Sequence, residues 1–512
     1  MGKLLLGIDV GTSSIKVALF HASGETLVEA TQAVPILNPE PEFAEQDMNA
    51  VWESTCLAVR QCLSRASIVG ENIAAVGVSG QGTGCWLLDR QKNPLSNAII
   101  WIDGRAKALL DEWKRDGKVA RVFALSSNSL FTGSPVALLA WLKRNRPEDF
   151  RRVGYFLFAK DWVRLKLTGV IATDSSDLSM FPCSVEGDCY EILEVLDMPE
   201  VGDIMPSPRK AWEVVGEVMR EAAEVTGIPV GTPVVTGLVD VASCALALGV
   251  VHLGQVYSIL GTTSFNAFLA EKGPLLFQPQ GVGISVAYLF PNTFLRAMAT
   301  MSGTLSLDWF LERFFGENRS QYLSKREFFL ALEKVLEDVP PGAEGVMFLP
   351  YISPGGERAP FLNPHAQGVF FGLRYNHTKA HLLRAVYEGV AFSVLDCFQS
   401  LKLPVSELRF CGGGAKSDFW CQLIADVLNA RVIIPKNQEL GALGAALLAG
   451  VGAGVYRDVY DAVERTFVVK NVFEPRERIS QFYRERFAVY RELRESLKKL
   501  WVHNDQMRYF LG

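Results

Sequence analysis

The stretch "LLLGIDVGTSSIKVALF", residues 4–20, carries two apolar runs joined through a glycine and three hydroxyl residues. Leu4, Leu6, Ile8 and Val10 alternate with other residues before the turn, and Val17 and Leu19 after it, so the segment reads as a β-hairpin. At its tip, Gly11 lets a ligand approach the backbone, and Thr12, Ser13 and Ser14 add hydroxyls to their amides. Such a concave run of N–H groups suits an anion, a phosphate above all; an ordinary polar turn between edge strands is the alternative.

Outward from this hairpin, "GETLVEA" (24–30) reads as a third strand, where a dinucleotide-binding fold requires a helix. A P-loop is excluded as well: Gly117-Lys118 is followed by Val119, and Glu112 stands where the first glycine belongs. More informative is "SILGTTSFNAF" (258–268), which repeats the strand-turn-strand character of the opening 250 residues later, about half the chain. One such hairpin per half predicts a duplicated architecture, with the halves facing each other across a cleft and both turns offered to the same phosphates.

The 512 residues have room for two to three domains at about 150 residues each. A net charge of −5 without a polybasic block argues against a nucleic-acid partner and for small ligands. The nine cysteines are odd in number and contain no C-x-x-C, so neither a disulfide framework nor a zinc site is expected. With no signal-peptide pattern and no membrane span, the expected location is the cytoplasm.

Several segments carry candidate chemistry. "FCGGGAKSDFW" (410–420) reads as a glycine loop between a strand and a helix, where Gly413, Gly414 and Ser417 would meet a nucleotide; a plain helix-entry turn explains the glycines as well. Asp240 follows an apolar strand and opens a helix, a position expected to favour the ionised carboxylate, ready to take a proton from an alcohol; the plain alternative is an N-cap. Between 74 and 106, Gln81, Gly82 and Thr83 form one loop and Trp101, Asp103 and Arg105 another. Together they read as a polyol site, with an indole for C–H surface and directional partners for hydroxyls.

With these pieces in place, the sequence resembles the FGGY family of carbohydrate kinases over nearly its whole length. The similarity is carried by "GIDVGTSSIKVALF", "ILGTTSF", "AIIWIDGR", "FCGGGAKSDFWCQLIADVLNA" and "GVFFGLRYNHTKAHLLRAVYE" (368–388). It implies an α/β fold of two RNase H-like domains, as in the actin-like ATPases, closing a central cleft around Mg-ATP and an open-chain sugar or polyol. Asp240 falls at the family's catalytic base and Asp9 at the carboxylate that organises Mg2+ and substrate. Gly11, Thr12, Ser13, Lys16, Gly261, Thr262 and Thr263 fall around the phosphates, and Gly303, Gly413, Gly414 and Ser417 around the nucleotide.

The expected division is 1–250 (sugar site, first hairpin, Asp240), 251–452 (nucleotide) and a helical extension, 453–512. Two departures stand out: Leu138 replaces the usual lysine in "GSPVALLAWLKRN" (133–145), and Gln81-Gly82-Thr83-Gly84 lacks the histidine usual in xylulose kinases. The implied activity is ATP-dependent phosphorylation of a terminal hydroxyl, on a ketopentose first, then erythritol or another short polyol, then glycerol. An actin-like switch protein without kinase activity is the rival from another class, and a homodimer is one assembly the reading allows.

Overall fold

The structure, a computed structural model, describes residues 3–66, 72–315 and 325–508. Among these residues two large sheets share one plan. In the first, the strands Leu4–Val10, Ser14–His21 and Thr26–Ala33 form an antiparallel meander. Ile73–Gly80 then Pro233–Val235 extend it in parallel from Leu4–Val10, and Val214–Glu217 closes the edge. In the second, Val256–Leu260, Ser264–Glu271 and Thr293–Thr300 form the meander, with Ile284–Ala287 at its outer edge. Glu407–Cys411 and Arg431–Pro435 continue in parallel, and Val469–Phe473 closes the other edge. The half-chain repeat read from the two turns is therefore a repeat of whole sheets, and the fold is the two-domain α/β architecture of the actin-like ATPases.

The third strand lies at 26–33 rather than 24–30, because residues 22–24 form the turn that reverses the chain. The first strand is buried on both sides, not on alternate residues alone. Leu4, Leu6 and Ile8 pack with the helix Met48–Ala66, whereas Leu5 joins the layer formed by the helices Asp240–Ala247 and Leu440–Gly452. A strand covered on both faces reads as a near-continuous apolar run.

The helix Leu440–Gly452 follows a strand of the second sheet yet lies on the first. Its sequence, LGALGAALLAGVG, has little but glycine and alanine on the contact side, and backbone meets backbone there. A Cβ on Gly7 would stand 1.9 Å from the Ala442 carbonyl oxygen, and one on Gly77 1.9 Å from that of Ala445. Van der Waals contact needs about twice that distance, so only hydrogen fits at either position.

A second set of contacts ties the halves together. Asn128 accepts from Ser285 N (2.8 Å) and donates to the Ser179 carbonyl (2.9 Å). The amide of Ser129 donates to Gly283 O (3.0 Å), Ser179 Oγ accepts from Ala287 N (2.9 Å), and the buried guanidinium of Arg296 donates to Ser127 O (3.1 Å).

One expectation is corrected here. Cys183 and Cys189 form a disulfide, with Cα atoms 4.1 Å apart, across a turn in which Ser184 N donates to Asp188 O (2.8 Å). The turn makes the pair, and six positions of separation in the sequence do not announce it. The segment expected as a helical extension, 453–512, is not all helix: Val459–Thr466 is a helix, Val469–Phe473 is the edge strand of the second sheet, and the last helix, Glu477–Arg508, buries Tyr483, Phe487, Tyr490 and Trp501 against the second half. No helix among the described residues is long and apolar enough to cross a membrane.

Candidate active site

Both hairpin tips have the same construction. In the first, Gly11 N donates to Ser14 O (3.1 Å); in the second, Gly261 N donates to Thr263 O (2.9 Å). The amides of Thr12, Ser13, Thr262 and Thr263 have no acceptor among the described residues, and Ser13 and Thr262 are exposed. Unpaired, outward N–H groups on a tight turn are what an anionic oxygen requires, so the tips fit the phosphates of a nucleotide.

The tips are held differently. The first is fixed by side chains: Gln46 Nε2 donates to the Thr12 carbonyl (2.7 Å), Gln81 Nε2 to Gln46 Oε1 (2.7 Å), Thr12 Oγ1 to Gln81 Oε1 (3.1 Å) and Trp101 Nε1 to Thr12 Oγ1 (2.8 Å). The Thr12 hydroxyl, expected among the phosphate ligands, is thus engaged with the expected sugar residues Gln81 and Trp101. A Thr12→Val substitution removes both bonds and leaves the indole N–H unpaired. It is expected to cost about 1–3 kcal/mol and to raise KM for the two substrates together, which steady-state kinetics with each varied in turn will check.

The second tip is fixed by a helix. Thr304 N and Leu305 N, at the start of Thr304–Phe315, donate to Gly261 O (2.8 Å) and Thr262 O (3.2 Å). A Cβ on Gly303 would stand 2.6 Å from both carbonyl oxygens, so the backbone of Gly303 supports the tip from beneath. Gly413 and Gly414 lie against Leu260, the last residue before the tip, and Gly413 is exposed. The Ser417 hydroxyl accepts from Trp420 N (3.0 Å) as the N-cap of Asp418–Leu428. Gly261, Thr262, Thr263, Gly303, Gly413 and Gly414 are therefore brought together, with Ser417 capping the adjacent helix.

Two carboxylates stand at the junction of the halves. Asp9 Oδ1 accepts from Ser79 Oγ (2.9 Å), and its other oxygen lies where a side chain on residue 441 would be, 2.4 Å from a Cβ on Gly441. Burial pushes the Asp9 carboxyl above its usual range against the hydrogen bond from Ser79. Asp240 Oδ1 accepts from Val241 N (2.7 Å), and the carboxyl is pushed up to about 7, first by burial and then by the charge of Asp9. The expectation that a helix start favours the ionised form of Asp240 is thus corrected, because desolvation and a like charge outweigh one amide. A carboxylate poised near neutrality is suited to accepting a proton. Lys16 forms an ion pair with Glu439 (2.9 Å) from the opposite half.

Around the acceptor loops, Gln81 and Thr83 are buried, and Thr83 holds a left-handed backbone (φ 61°), a rare state for a β-branched residue. A Cβ on Gly82 would meet Val239 Cγ2 at 2.6 Å, so this loop rests directly against the approach to Asp240. Thr83, Leu130, Phe131, Met180 and Ile284 line a small cavity. Asp103 and Arg105 are engaged with one another: Asp103 accepts from Ala44 N (2.7 Å) and from Arg105 N and Nε (both 2.9 Å). Arg105 Nη2 pairs with Glu45 (2.7 Å), and the guanidinium lies 3.9 Å from the Phe43 ring centroid. They form a buried strut behind the site, and Trp101 and Gln81 stand closer to the first tip.

Gln46, Ser79, Gly441 and the start of Thr304–Phe315 are unmarked in the sequence, since single polar or small residues acting from distant segments carry no local pattern. A buried cluster is equally unmarked. Lys160 Nζ lies 2.7 Å from Asp161, 2.9 Å from Asp174 and 2.8 Å from Asp177, all beneath the surface. Arg164 Nη1 donates to Asp161 (2.9 Å) and to the Thr236 carbonyl (2.7 Å), while Asp174 accepts from Ser176 N (2.7 Å) and Ser176 Oγ from Val239 N (3.0 Å). The strand-to-helix turn that presents Asp240 is therefore bonded at both ends to this cluster.

Magnesium needs few protein ligands because it keeps waters and phosphate oxygens, and the free oxygen of Asp9 suits that role; no cluster of three or more ligating side chains exists among the described residues.

The comparisons with known proteins agree with this geometry. Residues 4–247 match the N-terminal domain model of the FGGY family of carbohydrate kinases, and residues 256–453 the C-terminal one. The L-xylulose/3-keto-L-gulonate kinase of Escherichia coli (strain K12) is 30% identical over 512 residues, covering 97% of this chain and 98% of that protein. The xylulose kinase of the same strain is 30% identical over 508 residues, covering 97% and 98%. Among solved structures, a ligand-bound xylulose kinase from Lactobacillus acidophilus superposes with a TM-score of 0.88 at 24% identity, covering 97% of this chain and 98% of that one. The plan of two like sheets, the paired hairpins and the carboxylates between them thus coincide with a match over both halves: the chain belongs to the FGGY family of carbohydrate kinases, enzymes that transfer a phosphoryl group from ATP to an alcohol.

Proposed function

We propose that this kinase phosphorylates a terminal hydroxyl of a ketopentose of the xylulose or ribulose type, in the cytoplasm, with ATP as donor. The observation that carries the reading is the Asp240 carboxyl, held near neutrality at the junction of the halves beside the loop Gln81–Gly84. In the proposed step the hydroxyl oxygen attacks the γ-phosphorus, its proton passes to an Asp240 oxygen, and the bond from the γ-phosphorus to the bridging oxygen breaks. The electron pair of that bond leaves with ADP.

The amides of Thr12, Ser13, Thr262 and Thr263 hold phosphate oxygens, the exposed Gly413 leaves room for the nucleotide while Gly303 and Gly414 pack beneath and behind the second tip, and Lys16 adds positive charge beside the first tip. Asp9 would hold a Mg2+ ion arriving with the nucleotide, which neutralises phosphate charge. Gln81, Thr83 and Trp101 orient the sugar, while Asp103 and Arg105 fix that wall through Ala44 and Glu45. Closing of the halves around bound ATP and sugar would exclude water, so that ATP is spent on sugar rather than on hydrolysis. The working division of the chain falls near residue 250, with the sugar contacts and the first phosphate tip before it and the second tip and the rest of the nucleotide contacts after it.

A coupled ADP-release screen over C3 to C6 polyols and ketoses tests the reading. Release that depends on a ketopentose is the expected result; equal release with and without every acceptor would sink it.

A further inference from the structure

The guanidinium of Arg358 has no acceptor among the described residues. Its backbone N–H donates to Glu357 Oε1 (2.8 Å), and its side chain lies over the Phe131 ring, 4.8 Å from the centroid, with no carboxylate in ion-pair contact. The side chain is largely withdrawn from solvent, which pulls its pKa below the usual arginine value. Glu357, the preceding residue, lends its negative charge from a distance but makes no ion-pair contact; a desolvated cation without an acceptor of its own is costly, and the complement that offsets it is an anion with oxygens to share.

Its position says which anion. Glu357, fully buried, accepts from Met301 N (2.7 Å) and Ser302 Oγ (2.8 Å), so the loop bearing Arg358 is bonded to the segment that ends at Gly303 beneath the second hairpin tip. On the other side, Phe131 belongs to the first half and lines the same small cavity as Thr83 and Met180. Met180 and Val239, the residue before Asp240, both lie against Gly82. Arg358 is thus linked through Glu357 to the segment beneath the second tip, which supports the donor phosphates, and through Phe131 to the wall expected to hold the acceptor. The group that passes from the one to the other in the proposed reaction is the phosphoryl itself.

We propose that Arg358 contacts the phosphoryl group in transit and stabilises the charge on its oxygens as the bond to ADP breaks and the bond to the sugar oxygen forms. This rests on the kinase reading above. The bonds made and broken, and the proton passed to Asp240, are as given there; the guanidinium keeps its own protons throughout.

The competing account is mechanical: stacking on Phe131 joins the halves and nothing more. Steady-state kinetics and thermal melting of Arg358→Met and Arg358→Lys separate the two, using the wild-type chain and the sugar found in the screen. The expected result is a fall in turnover of about 10²–10³-fold for Arg358→Met, the size seen when a donor to a developing oxyanion is removed. KM for sugar should stay within threefold, Arg358→Lys should be intermediate, and guanidinium ion added to Arg358→Met, but not to Asp240→Asn, should restore part of the rate. Turnover of Arg358→Met within threefold of wild type, whatever its melting temperature, would overturn the proposal, as would a defect confined to sugar KM. A wild-type chain that releases no ADP with any sugar would overturn the kinase reading and this proposal together, whereas an active wild type matched by an active Arg358→Met removes only the latter.

Discussion

Asp240→Asn is expected to bind ATP and sugar as the wild type does while turnover falls by about 10²–10⁴-fold, the usual contribution of a positioned general base. The amide has nearly the same shape and its oxygen can still accept from Val241 N, so the start of the helix Asp240–Ala247 should persist. What disappears is the capacity to take a proton. With the carboxyl pushed up to about 7, the rate at limiting sugar should rise from pH 6 to pH 8 and level off above, and that acid limb should vanish in the variant.

Stability should move the other way. A carboxyl whose folded pKa lies above its unfolded value of 3.8 binds its proton more tightly in the folded state. Its contribution therefore falls as pH rises from about 4 to about 7, and the loss is complete beyond that. Asp240→Asn should remove this decline, so its melting temperature should equal or exceed that of the wild type at pH 8. Near-normal turnover by the variant would refute the role.

The largest loss of stability is expected from Lys160→Met. Lys160 and Arg164 face Asp161, Asp174 and Asp177 in the interior, and burial pushes the Asp177 carboxyl well above its usual range. Two cations thus share three acidic side chains away from water. Removing the ammonium leaves the acids without their shared partner, and breaking a buried pair from one side costs about 3–5 kcal/mol. Because Arg164 and Ser176 bond to Thr236 and Val239, the turn presenting Asp240 should loosen as well, and turnover should fall in whatever fraction remains folded. Denaturant titration checks the first part; a loss below about 1 kcal/mol, the level of an exposed pair, would show that the cluster does not carry the expected weight.

The outline of the molecule was legible because it rests on local patterns. Gly11-Thr12-Ser13-Ser14 and Gly261-Thr262-Thr263-Ser264 sit between alternating apolar runs, and that arrangement survives in sequence as it does in space. The strand, glycine loop and helix around 407–428 were readable for the same reason. The engagement of the Thr12 hydroxyl with Trp101 and Gln81 was hidden, since its partners lie 89 and 69 positions away. So was the placement of the helix Leu440–Gly452 on the opposite sheet. Glycine and alanine at a backbone-to-backbone contact leave no periodic signature, and Gly7 gives no sign of its neighbour Ala442. The protonation of Asp240 is hidden from the sequence because a helix start is a local feature, whereas desolvation depends on everything packed around it.

The bonds from Ser127, Asn128, Ser129 and Ser179 to residues 283–287 and Arg296 bear on how the enzyme loads and unloads. These residues belong by chain order to the first half, yet they are fastened to the second as well. Any motion wide enough to admit a nucleotide must either rupture that seam or carry the seam residues away from the sheet they follow in sequence. In the latter case the moving boundary falls inside the first half, and part of the sugar wall travels with the nucleotide side each time product escapes.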